Sequence, residues 1–180
     1  MANQYIIWNA PMPTTAAIAK VTTGTAIKTM LQLLAAVPFR VVEWGWHGDG
    51  FALAAPGTVE LLVTGTVGAT VTAHAASGIM PHNDPNAPVN TAGTSGTPFN
   101  LGVTHTGFTG TAEGTITATE VLDAWLASPM GVYSKQFPLG REPKVAAADF
   151  LRIRCTFAAA INALCYVVAE PGCRPGPSRP

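Results

Sequence analysis

The chain has 180 residues, enough for one domain with its own core, and only 11% of them are charged, ten basic against ten acidic. With zero net charge and no run of Lys or Arg to track a phosphate backbone, nucleic acid is excluded as an expected partner. The 48% apolar fraction argues for a folded chain. No apolar run reaches the roughly 18 residues of a membrane-spanning helix, so no membrane partner is expected. Met1 to Trp8 lacks the charged and apolar regions of a secretory signal, so synthesis and folding in a cytoplasm are expected.

Residues 1–23 read as an N-terminal arm. Tyr5, Ile6, Ile7 and Trp8 form an apolar cluster ahead of Pro11 and Pro13, which interrupt regular structure. Such a cluster must be covered, by its own domain or by a neighbouring molecule. These four residues are therefore candidate partner contacts.

Residues 24–170 read as a β domain. Within it, 25–36 suits a helix (Ile27, Leu31, Leu34) and a strand (Ile27, Thr29, Leu31, Leu33) equally, and the β pattern downstream favours the strand. Arg40, Val42, Trp44 and Trp46 then share one face of a strand and Val41, Glu43, Gly45 and His47 the other, before a turn at Gly48-Asp49-Gly50. Val59 to Val63 and Thr70 to Ala75 are two further strands, the first central. Residues 77–110, with Pro81, Pro85, Pro88 and Pro98, read as a long polar loop.

Strand signals resume at Thr115 to Leu126 and Val132 to Phe137. Leu151, Ile153, Cys155 and Phe157 alternate with polar residues, as do Ile161, Ala163, Cys165 and Val167, and the short Ala158–Ala160 link predicts an antiparallel hairpin between the two. Residues 171–180 form a Pro/Gly/Arg tail, in which Arg174 and Arg179 are further candidate partner contacts. The expected fold is all-β: an antiparallel β-sandwich of jelly-roll or Greek-key order, with an extended arm and tail.

Reactive chemistry is thinly represented. Cys155 and Cys165 read as small buried apolar residues, a disulfide being the alternative, and no CxxC or nearby His completes a zinc site. His47 with Asp49, and His82-Asn83-Asp84, are too sparse for an acid/base pair or a calcium loop. No GxSxG elbow occurs, and Gly65-Thr66-Val67-Gly68 lacks the Lys of a phosphate loop. No catalytic, cofactor-binding or metal-binding residues are assigned, and the chain is not expected to be an enzyme. Trp44, Trp46 and Trp125 suit core packing, with a carbohydrate groove as the competing reading.

A set of short stretches resembles a group of small actinobacterial-phage and prophage structural proteins. They are Arg40-Val41-Val42-Glu43-Trp44-Gly45, Val59-Glu60-Leu61-Leu62, Asp84-Pro85-Asn86-Ala87-Pro88 and Glu113-Gly114-Thr115, then Phe137 to Pro143 and Phe150-Leu151-Arg152-Ile153-Arg154. The likeness runs from about residue 24 to residue 170 and brings no catalytic residues. It implies a virion component, most like a capsid decoration (cement) protein. Such a protein is made in the host bacterial cytoplasm and sits on the outer capsid surface, where as a homotrimer it bridges major capsid subunits without a cofactor. A tail or receptor-binding module recognising cell-surface carbohydrate through Trp44, Trp46, Trp125 and the long loop is the alternative from another class. A hydrolase on the same scaffold has the least support.

Overall fold

The computed structural model describes residues 3–12, 15–50, 55–87, 98–114 and 117–172. In chain order the strands are β1 (Tyr5–Trp8), β2 (Val21–Thr22), β3 (Lys28–Leu34), β4 (Phe39–Asp49), β5 (Gly57–Val63), β6 (Thr70–Ala73) and β7 (Ile79–Pro81). They continue with β8 (Gly107–Ala112), β9 (Glu120–Ala127), β10 (Val132–Gln136), β11 (Lys144–Val145), β12 (Phe150–Thr156) and β13 (Asn162–Pro171). A 3₁₀ turn at Ala76–Gly78 precedes β7, and the described residues include no α-helix.

The strands form two antiparallel sheets. Sheet A has the order β10-β4-β13-β1-β7, with β11 on β4 and β2 on β13; sheet B has the order β6-β8-β3-β12-β5-β9. One buried cluster draws on both sheets: Ile7, Trp44, Trp46 and Val167 from A meet Leu31, Leu61, Leu151 and Ile153 from B. Aromatic contacts tie it together. Trp46 stacks on Phe157 with centroids 5.8 Å apart, and Phe39 and Tyr5 both meet Phe99 edge-on. Cys155 and Cys165 are free thiols buried in this cluster, and burial pushes Cys155 up to about 12 and Cys165 well above its ordinary value. Both are inert in this setting.

Three expectations are corrected. First, β12 and β13 are not a hairpin. β12 lies between β3 and β5 in sheet B, and β13 lies between β4 and β1 in sheet A. The link between them is an arch anchored by buried Phe157 and Ile161 at its two ends, not a tight turn. Alternation fixes which side chains face the core but not which strand lies alongside.

Second, β4 does not keep one face throughout. Val168 pairs Glu43 while Ala169 pairs Val41, so Val42 is an extra residue, a bulge. The bulge flips the alternation: Phe39 and Val41 are buried on one side of it, Trp44 and Trp46 on the other. Arg40 and Glu43 thereby share the outer face that simple alternation had split.

Third, the segment expected as a polar loop over 77–110 carries β7 and most of β8. Its closing part, with the β5–β6 turn, covers the outer face of sheet B. There Gln32 is fully buried, its amide donating to the Ala69 and His105 carbonyls at 3.2 and 2.6 Å while its oxygen accepts the Ala69 N–H at 2.7 Å. Arg152 and Leu62, beside Gln32 in register, are also fully buried.

A buried histidine makes stability pH-dependent. His74 donates from Nε2 to the Trp8 carbonyl at 2.8 Å, fastening the end of β6 to β1, while its Nδ1 is buried without a partner. Burial pulls the imidazole down to about 4. The unfolded chain takes up this proton as pH falls through about 6.5, whereas the folded chain stays neutral until about 4. The His74 contribution is therefore complete above pH 7 and is lost progressively from about 6.5 toward 4. Urea midpoints at pH 7.5 and 5.0 should differ by the equivalent of about 2 kcal/mol on this account. His74→Gln, which retains an N–H donor, should flatten that dependence.

Candidate functional site: the outer face of sheet A

β1 alternates, and its position between β13 and β7 decides what each of its residues does. Tyr5 and Ile7 point into the core and are 3% and 0% exposed. They are unavailable to a partner, which corrects their assignment as contacts. The segment expected as an arm is a strand of the sheet. Ile6 and Trp8 lie on the opposite face and are half-buried. Arg174 and Arg179 lie outside the described residues.

On that outer face Ile6 stands opposite Val168 on one side and Met80 on the other, and Trp8 stands opposite Tyr166. The Trp8 and Tyr166 rings pack with centroids 4.9 Å apart, tilted by 39°. Tyr166 in turn faces Gly45 on β4. A Cβ on Gly45 would lie 2.3 Å from Tyr166 Cε1, so the missing side chain is what lets the phenol ring lie across β4. From there the Tyr166 hydroxyl donates to Glu43 Oε1. Burial and then the Glu43 carboxylate both push the phenol well above its ordinary range. The His47 ring lies 6.2 Å from that of Tyr166.

Glu43 and His47, with exposed His82, line a shallow depression of about 330 Å³ whose walls are Ile6, Trp8, Tyr166 and Val168. Gly45→Ala should displace the Tyr166 ring and break its bond to Glu43. We expect a loss of about 1–3 kcal/mol by overpacking and a shifted Trp8 indole N–H resonance, read by urea unfolding and NMR.

The other residues singled out from the sequence go elsewhere. Trp44 and Trp46 are fully buried, so they offer no groove to a sugar. Trp125 stacks on Tyr133 at 4.9 Å. Asp123 organises this region by accepting from Trp44 Nε1 at 3.0 Å and Tyr133 Oη at 2.8 Å, and by pairing with Lys135 at 3.0 Å. Burial raises the Asp123 carboxyl, but the bonds from Tyr133, Lys135 and Trp44 outweigh it and hold the group below its ordinary value. Asp49 pairs with Lys20. Asp84 accepts from the Asn86 backbone at 2.9 Å in a local turn. Among the described residues, no three His, Cys, Asp or Glu side chains gather as metal ligands.

Among the described residues β9 and β10 are each paired on one side only, at the edges of the two sheets. Leu126, Met130 and Val132, on and between these strands, are 75%, 60% and 67% exposed. Comparison with known proteins finds no matching family model, no matching curated protein and no matching solved structure.

Proposed function

We propose that this chain is a capsid decoration protein of a bacteriophage, a non-enzymatic fastener that binds the outer surface of the shell and bridges neighbouring major capsid subunits. The observation that carries the reading is the outer face of sheet A. A rigid sheet presents Ile6, Trp8 and Met80 half-buried around the nearly buried Val168 and Tyr166, a strip suited to docking on another protein surface. The sequence resemblance supports the same reading, and exposed Leu126, Met130 and Val132, on and between the edge strands β9 and β10, are further candidates for contact between copies.

We read the two sheets as a sandwich of jelly-roll or Greek-key type, because the chain changes sheet between β3 and β4, between β4 and β5, and between β12 and β13. The working form would be a homotrimer at local three-fold positions, needing no nucleic acid, membrane or cofactor. Its hold on the shell would come from several equal footprints, each raising the effective concentration for the next.

The test is co-sedimentation of purified protein with undecorated shells. We expect saturable occupancy by the wild type and at least about tenfold weaker occupancy by Trp8→Lys, which leaves the buried face of β1 untouched. Absence of shell binding by folded protein, together with retention on host cell wall, would favour the carbohydrate-binding reading instead.

A further inference from the structure

The depression on the outer face of sheet A holds the Glu43 carboxylate, which forms no salt bridge among the described residues, with His47 and His82 also in its lining. The described residues form ion pairs at Lys20–Asp49, Arg40–Glu142, Lys135–Asp123, Arg152–Glu113 and Arg154–Glu60, and Glu43 takes part in none of them. Its neighbours across the ladder are Gln136 on β10 and Val168 on β13. Beyond these it has the Tyr166 hydroxyl, which fixes one carboxylate oxygen in place. Ile6 and Val168 provide an aliphatic wall beside it, and Trp8, braced on Tyr166, provides an indole.

We infer that this depression is a receptor for an arginine side chain of the docked protein. Each wall matches one part of that side chain. The methylene stem runs along Ile6 and Val168, the flat guanidinium lies against the Trp8 ring, and its N–H groups reach Glu43. A lysine would meet the charge but not the flat aromatic wall. His47 on β4 and His82 just beyond β7 line the same depression and offer further polar groups, so a sugar is the competing ligand to be tested. The site is organised before binding: Gly45 admits the Tyr166 ring, and that ring holds both Trp8 and Glu43. Little side-chain freedom is left to lose when the ligand arrives.

The inference rests on the outer face of sheet A being the docking face, and it names the chemistry of the partner's contact. The experiment is an NMR titration of the full-length protein at low salt with N-acetyl-arginine amide, following the Trp8 indole N–H. N-acetyl-norleucine amide and N-acetylglucosamine serve as comparison probes. Saturable shifts with the arginine probe, about tenfold weaker binding in Glu43→Gln and a much smaller response to norleucine are expected. Glu43→Gln retains an oxygen for the Tyr166 hydroxyl, so the fold should persist, and an unchanged urea midpoint checks this. No saturable shift, equal response to norleucine, tighter binding of the sugar, or indifference to Glu43→Gln would each overturn the site. Arginine binding by protein that never occupies shells would remove the capsid reading and leave the site standing. Shell occupancy without any arginine response would do the reverse.

Discussion

Removal of residues 1–13 should abolish cooperative folding rather than merely weaken attachment to a partner. β1 is an interior strand: it pairs with β13 on one side and β7 on the other, and among the described residues β7 has no other strand partner. Deletion uncovers the core under Tyr5 and Ile7, whose burial stabilises the fold by about 1.5–3 kcal/mol each. It also removes fully buried Asn9, which extends the ladder past the end of β1. The Asn9 N–H donates to the Cys165 carbonyl at 2.9 Å, and its side-chain oxygen accepts the Cys165 N–H at 2.8 Å. The combined loss of roughly 5 kcal/mol or more is comparable with the whole stability of an ordinary domain. Urea unfolding followed by circular dichroism should show no cooperative transition in the truncated chain. An unchanged midpoint would mean that the segment is a detachable arm after all.

Arg152→Ala should be the most damaging single substitution on the outer side of sheet B. The guanidinium is fully buried, with Nη2 donating to the Val67 carbonyl at 3.0 Å and Nη1 lying 3.7 Å from Glu113 Oε2. Burial pulls its pKa down to about 10, with Glu113 opposing that fall. Glu113 in turn accepts from the Thr29 N–H and, at 2.6 Å, from the Thr29 hydroxyl. The arginine thus fastens the β5–β6 turn and the end of β8 to β12. Truncation leaves a cavity and a carboxylate without its cation, and takes from the Val67 carbonyl one of its two donors, the Thr64 hydroxyl at 2.8 Å remaining, so we expect a loss of about 3–5 kcal/mol in urea unfolding. Arg152→Met with Glu113→Gln removes both charges and refills much of the space, and should recover a large part of it. A double variant no better than Arg152→Ala would mean that packing, not charge, is what the arginine supplies.

Most strand positions were legible because the side facing the core takes apolar residues with a period of two, as in Leu151, Ile153 and Cys155, even where a residue between them, Arg152, is buried under a covering turn. Neighbourhood was not legible. The pattern that makes β12 and β13 strands is indifferent to whether they pair or face each other across the core. Local punctuation also misled. Pro11 and Pro13 follow β1 closely enough to make it read as an arm, and Pro81 ends β7 in a stretch that reads as loop.

Half of the candidate site was visible in Ile6 and Trp8. Tyr166 and Glu43 were not, because they lie 123 positions apart in the chain and only the β4–β13 ladder brings them together. One signal did point to the site: Gly45, between two tryptophans in a strand, marks a place where something must approach the backbone closely.

We propose that the molecule works by docking the outer face of sheet A onto a shell of other proteins. Cryo-electron imaging of particles assembled with this chain tests it most directly. Density for the protein is expected on the outer capsid surface at local three-fold positions, with Trp8 and Glu43 turned toward the major capsid subunit. Density confined to the tail, or capsid-bound density with this face turned to solvent, would contradict it.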